Sequence, residues 1–405
     1  MNVVSMALSV HCRVWVLVRE FPLWCVASFG QFVNPPLRSH LPERGIFLPP
    51  AFVKLIFLTE MTGLYAQWMD GWERKLATRD TNRVVRQFEW GTEWLHKVGY
   101  PECPAQTNGN ARACVADFVS AALRNSERFF AYQQPVDYQL RDGRLTFTSP
   151  VQSGYPQNDV VPNLWFPAEK DRGRALVVLP QWNSDAAGHV GLARLLNRFG
   201  ISALRMTMAY HAERKPPELE RADYHVSSNV GRTIHACRQS VIDARACIDW
   251  LAAQGYRRIG ILGTSLGSCV AFIAAAHDPR VRVGIFNHVS MYFSDVVWTG
   301  LSTQNVRQGF GDTVSQEELR RYWSVISPAS YLDRLPGRDL QSLLVWARHD
   351  STFLPEYSQQ VLKSFREMKL PHRVFTLPCG HYTTGQFPFN LMDGLAMCRF
   401  AWRHL

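Results

Sequence analysis

Ala175-Leu176-Val177-Val178-Leu179 is an unbroken apolar run, and it constrains the fold more than any other feature of the chain. A strand with one face in water alternates apolar and polar residues. A run without alternation needs cover on both faces, as in a parallel sheet between two layers of helices. The sequence after it keeps to that plan. Helical periodicity over 190–199 closes at Gly200, and a strand pattern occupies 201–208. A helix over 234–254 ends at Gly255, followed by strand 258–262, helix 268–277 and strand 281–288. After a less regular stretch the series resumes with strand 342–347, helix 357–368, strand 373–377 and helix 391–402. Gly200 and Gly255 stand where a left-handed residue commonly closes a helix. Strands separated by helix-length segments are joined by right-handed crossovers, so the expected class is α/β, a mostly parallel central sheet with helices on both faces.

The chain ahead of this series reads differently. Residues 138–147 alternate around Asp142-Gly143, the signal for two strands and a tight turn. Residues 160–167 read as another strand. One helical pattern covers 103–132; another opens at Gly71 and continues through Val84, Val85, Phe88, Trp90 and Trp94. Residues 1–60 have no steady period, two Pro-Pro pairs and no cap or hairpin signal. The expected organisation is therefore an extension over 1–60, a helical segment over 61–137 and the main domain over 138–405. The extension is expected to be poorly ordered, with Met61 as an alternative initiator.

At 405 residues the chain can bury a large core. Its formal charge of +10 is spread without long Lys or Arg runs, which points to a solvated surface and not to nucleic-acid binding. The most apolar N-terminal stretch, 3–18, is interrupted by His11 and Arg13, so neither a transmembrane helix nor a signal peptide is expected. Nine cysteines form no C-x-x-C pair, a pattern that suits reduced buried thiols in a cytoplasmic protein and leaves room for one or two disulfides. No Cys/His metal spacing and no H-E-x-x-H is present. No metal or organic cofactor is expected.

Within this frame, Gly263-Thr264-Ser265-Leu266-Gly267 is a G-x-S-x-G motif with a strand directly before it and an Ala-rich helix directly after it. A sharp strand-to-helix turn leaves no room for side chains two residues either side of its centre, and glycine stands at both positions. Ser265 would project above the sheet edge, facing the positive end of the following helix. A serine hydroxyl needs a base within hydrogen-bond reach and an acid to orient that base. Asp350 follows the strand over 342–347, and His381, in Pro378-Cys379-Gly380-His381, follows the strand over 373–377. Both lie at the carboxyl ends of strands, where open α/β sheets bind ligands. His349 cannot be the acid, and His372 lies at the wrong end of its strand. The expected oxyanion donors are the backbone N–H of Leu266 and, from the loop after the strand over 175–179, that of Trp182, with Gln181 as its rival.

On these residues the chain from about Tyr138 to Leu405 resembles the α/β-hydrolase superfamily. Gly-Thr-Ser-Leu-Gly-Ser and the segment Met208-Ala209-Tyr210-His211-Ala212-Glu213-Arg214-Lys215-Pro216 are similar to the esterase-like branch of α/β-hydrolase domain-containing protein 18. Pro180-Gln181 stands where many esterases carry His-Gly. The resemblance implies an α/β-hydrolase fold and a small cap over about 291–335. It also suggests substrate contacts from Tyr210, His211 and Arg214, and from Met291 and Tyr292 in the cap. Arg214 could take a substrate carboxylate or phosphate, or a structural salt bridge.

The expected function is a serine esterase that acts on a small-molecule acyl ester through Ser265, His381 and Asp350. A peptidase or amidase and an acyltransferase share the same motifs. A non-catalytic binding protein is the rival from another class.

Overall fold

In the main domain the apolar run Ala175 to Leu179 forms the body of a central strand, and all five residues are fully buried. A computed structural model describes residues 63–99 and 110–405 of the chain. The expectations for residues 1–60 lie outside the described residues, which all belong to one unit, Thr62–Leu405.

The sheet has nine strands: β1 (Gln139–Arg141), β2 (Arg144–Thr148), β3 (Val160–Phe166), β4 (Arg174–Leu179), β5 (Ser202–Met206), β6 (Arg258–Thr264), β7 (Val281–Asn287), β8 (Gln341–Ala347) and β9 (His372–Leu377). Their order is β1-β2-β3-β5-β4-β6-β7-β8-β9. The first three are antiparallel to their neighbours, and every pairing from β5 to β9 is parallel. β4 pairs on both sides, with Val177 opposite Leu204 of β5 and Ile261 of β6. The β1–β2 turn places Asp142 and Gly143 at φ 48° and 74°. Two successive positive values are what a two-residue hairpin loop requires.

Besides single turns at Ser126–Phe129 and Pro156–Asp159, the α-helices among the described residues are α1 (Gly63–Ala77), α2 (Thr92–His96), α3 (Ala111–Arg124), α4 (Val190–Arg198), α5 (Val230–Ala253), α6 (Leu266–His277), α7 (Phe293–Thr299), α8 (Gln304–Phe310), α9 (Gln316–Tyr322), α10 (Pro355–Glu367) and α11 (Phe389–His404). α5 starts four residues before the expected point because Asn229 caps it, its side chain accepting the N–H of Arg232 at 2.8 Å. α7, α8 and α9 all lie between β7 and β8, where the cap was expected.

Two helical expectations are corrected. The pattern from Gly71 to Trp94 is not one helix: α1 ends at Ala77, and residues 78–91 form a non-helical strap. The strap's backbone is used elsewhere. Glu89 N–H donates to Ser228 O, and the N–H groups of Val230 and Gly231 donate to Glu89 O and Trp90 O. Gly91 then turns at φ 65° against the Asn229 side chain. The pattern over 103–132 also breaks, within its described part, at Asn125, whose side chain caps a separate turn at Ser126–Phe129.

Cys237, Cys247, Cys269 and Cys379 are buried thiols, as expected. Cys114 is disulfide-bonded, within the one or two disulfides that the sequence left room for. No described helix is long and apolar enough to cross a membrane.

Candidate active site

β6 ends at Thr264, and α6 begins at Leu266. Ser265 alone makes the turn, at φ 57° and ψ −122°. Left-handed backbone at a residue with a side chain is strained, and it persists only where the surroundings impose it. Here they do. A Cβ on Gly263 would overlap the carbonyl of Gly267, and one on Gly267 would overlap those of Leu179 and Pro180. Ser265 N–H donates to Asn287 O at 2.8 Å, and Ser268 Oγ lies 2.6 Å from Ser265 O and 2.8 Å from His288 O. The elbow is thus fixed to the ends of β4 and β7.

Ser265 Oγ lies 3.1 Å from His381 Nε2, and His381 Nδ1 lies 3.0 Å from Asp350 Oδ2. The three residues named from sequence order come together from three loops at the carboxyl ends of β6, β8 and β9. The Phe353 ring stacks on the His381 imidazole, 5.4 Å between centroids at an interplanar angle of 7°.

Asp350 is almost wholly buried, with its Oδ1 accepting the N–H groups of Thr352 (2.8 Å) and Phe353 (2.7 Å). Its Oδ2 takes a second donor that sequence reasoning missed: His288 Nδ1, at 2.8 Å. Burial opposes ionisation of Asp350. The charge of His381 and the bonds from His288 and His381 outweigh it and hold the carboxyl well below its usual range. Burial likewise opposes charge on His381, but Asp350 and then Glu73 raise its pKa overall. His288 moves the other way: burial outweighs the bond to Asp350 and lowers it.

His288, Asp350 and His381 offer one oxygen and two nitrogens within 4.8 Å of one another, the donor types of a metal centre. Their short contacts have hydrogen-bond lengths, both imidazoles aiming Nδ1 at a single carboxylate oxygen. That is a hydrogen-bonded cluster centred on the carboxylate.

Leu266 N–H, at the open first turn of α6, has no acceptor among the described residues, and neither does the backbone N–H of Trp182. The Trp182 ring turns away to the neighbouring loop, where Nε1–H donates to Ala222 O at 3.1 Å.

The suggested substrate residues after β5 are a correction. Tyr210, His211 and Arg214 are buried. Arg214 is held by Asp243 (2.8 Å), Asn158 O (2.9 and 2.6 Å) and Thr207 O (2.9 Å), so its guanidinium is used up inside the protein. His211 Nδ1 bonds Ala209 O at 2.8 Å. These residues build a structural knot inside the protein. Met291 is buried beneath the cap, while Tyr292 is half-buried under Arg320, whose guanidinium lies 4.5 Å from the ring centroid.

Glu73 of α1 was also missed. Its carboxylate accepts the N–H groups of Tyr382 and Thr383, the two residues after His381. No local signal could have linked positions more than 300 residues apart. His288 had one weak signal, its place at the end of a strand in the series.

A family model described as alpha/beta hydrolase domain containing 18 matches residues 189–348, which takes in Ser265 and ends just before Asp350. No curated protein matches in sequence. Among solved structures, the acylaminoacyl peptidase of Pyrococcus horikoshii is similar at 14% identity and TM-score 0.52; the match covers 69% of this chain and 43% of the peptidase, so the chain spans less than half of that protein. Acetyl xylan esterase from a Paenibacillus species is similar at 15% identity and TM-score 0.52, covering 76% of this chain and 99% of the esterase. Acetyl xylan esterase 1 from a Thermoanaerobacterium species is similar at 15% identity and TM-score 0.50, covering 71% and 93%. The fold of the chain is the α/β-hydrolase fold.

Proposed function

We propose that this α/β-hydrolase-fold chain is a serine hydrolase that cleaves a carboxylic ester or related acyl bond of a small molecule. The observation that carries the reading is the hydrogen-bonded line from Ser265 Oγ through both nitrogens of His381 to a buried, ionised Asp350.

In this reading His381 Nε2 takes the Ser265 proton as Oγ bonds to the acyl carbon. Asp350 keeps Nδ1 protonated and stabilises the imidazolium. The N–H groups of Leu266 and Trp182 hold the oxyanion. Collapse breaks the bond to the leaving alcohol, which receives its proton from His381. Water then gives a proton to His381, attacks the acyl-enzyme and frees the acid and Ser265. No step calls on a metal or organic cofactor. The cap over 291–335, with Met291 and Tyr292 at its start, is proposed to set acyl selectivity.

A peptidase reading is favoured by one observation, the likeness to an acylaminoacyl peptidase, but the two esterases match nearly their whole length. An acyltransferase would use the same residues with an alcohol in place of water. Ser265→Ala is the test. Labelling by a fluorophosphonate probe and hydrolysis of short p-nitrophenyl esters are expected to vanish while circular dichroism stays that of the parent. Parental hydrolysis by the folded variant overturns the assignment.

A further inference from the structure

We propose that Glu73 is a positioning residue for the reaction at Ser265, its carboxylate holding the loop that presents His381. The inference rests on the serine-hydrolase reading above and adds to it a residue from outside the strand-and-helix series.

The geometry is a clamp. Glu73 Oε1 lies 2.7 Å from Tyr382 N, and Oε2 lies 3.1 Å from Tyr382 N and 2.9 Å from Thr383 N. An ionised carboxylate taking backbone N–H groups makes stronger bonds than a neutral acceptor does. α1 docks on the same loop at two further points. Tyr65 Oη donates to Pro378 O, and Thr383 Oγ1 donates to Met69 Sδ at 3.4 Å. Gly380 is explained by the clamp as well. Its φ is not positive, yet any Cβ there would overlap the Glu73 carboxylate. The Gly-His pair read from sequence is therefore a requirement of Glu73, not of the turn.

Simple packing does not need a buried charge at this place. Burying a carboxylate is unfavourable unless something compensates it, and Glu73 is 1% exposed. The titratable groups facing it are His381 and Asp350 from two loops at the sheet edge, and Cys379 from the same loop as His381. Burial pushes Glu73 up to about 7, against the charge of His381 and the two N–H bonds, which pull it down. Glu73 in turn raises His381. A carboxylate that steadies the loop and favours the imidazolium acts on the transition state, where that charge forms.

The test is Glu73→Gln in the full chain, assayed by kcat/KM against pH with p-nitrophenyl butyrate, beside fluorophosphonate labelling of the parent. The expected result is a kcat about tenfold or more below the parent with KM within about twofold, the range of a misplaced general base. The acid limb of kcat/KM is also expected to move to lower pH by about half a unit, since a negative charge near His381 has gone. A folded variant with parental kcat overturns the proposal, and so does a reduced kcat with an unmoved limb, because that is all a packing role would produce. If Glu73→Gln does not fold, Glu73→Asp keeps the charge and draws it back from His381. It is expected to lose kcat and to move the limb to lower pH by less than the amide would, and a parental kcat or an unmoved limb overturns the proposal. A parent that fluorophosphonate does not label overturns the serine-hydrolase reading itself, and the inference with it.

Discussion

Asp350 receives four N–H donors, two from backbone and two from imidazoles, and they divide its work. The backbone pair fixes the carboxylate, His381 bridges it to Ser265, and His288 bonds it from the other side. The His288 bond adds to the charge of His381 in holding the buried Asp350 carboxyl below its usual range. His288→Phe keeps an aromatic ring and removes the donor. Leaving a buried charge short of one bond is expected to cost about 1–3 kcal/mol of stability and to slow turnover about tenfold through a carboxylate, and with it a His381 ring, held less firmly in place. The sign with pH follows from the direction of the shift. A carboxyl held below its ordinary pKa adds stability above that value and loses it as pH falls through the lowered one. Weakening the hold raises the folded-state pKa, so acid unfolding of His288→Phe should begin at higher pH than in the parent. Urea titrations at several pH values read this directly. Equal midpoints in parent and variant would mean that His288 is a bystander.

The nucleophile elbow is an element-scale device. Its two glycines serve sterics and not φ: neither Gly263 nor Gly267 is left-handed, while Ser265 is. The strain sits on the residue that must project, and the glycines let β4, β6 and α6 approach closely enough to impose it. A methyl group at Gly263 meets the backbone of the first turn of α6, which has no flexible end to move aside. Gly263→Ala is expected to destabilise by about 1–3 kcal/mol, as overpacking does, and to remove most activity by shifting Leu266 N–H. Thermal unfolding and fluorophosphonate labelling measure the two effects. A variant with parental stability and labelling would show that the elbow tolerates the methyl.

Legibility followed the range of the interactions. The sheet and the order Ser265, Asp350, His381 were readable because strand periodicity, helix-closing glycines and loop starts are local properties of the chain. Arg214 was left open between substrate binding and a structural salt bridge, because a motif gives a residue's place in the chain and says nothing of its surroundings. Only in space does Asp243, beyond a helix start, claim its guanidinium. The strap over 78–91 was misread as helix because its apolar residues keep helical spacing, although Val84 and Val85 are exposed and only Phe88 and Trp90 pack, against Phe310 and Tyr322.

At the scale of the whole molecule that strap ties the site to the cap. Arg83 bonds Ser302 O at the cap, Ala77 O at the end of α1 and Tyr382 Oη beside His381. Arg86 pairs with Asp223 at 3.2 Å. Phe88 meets Phe310 of α8 at 6.0 Å, and Trp90 meets Tyr322 of α9 edge-on at 5.4 Å. The cap is thus held from outside by a segment that also reaches the His381 loop. Aromatic edge contacts add about 0.5–1.5 kcal/mol beyond the area they bury, and Trp90 is only half-buried, so Trp90→Ala should leave the sheet and Ser265 intact while it loosens α9. The expected outcome is undiminished fluorophosphonate labelling, a Tm lower by about 4 °C or less, and a KM that rises severalfold for long-chain p-nitrophenyl esters but little for acetate. Selectivity changes because the cap, not the nucleophile, has moved. A uniform change in KM across chain lengths would separate the strap from selectivity and leave it a purely structural tie.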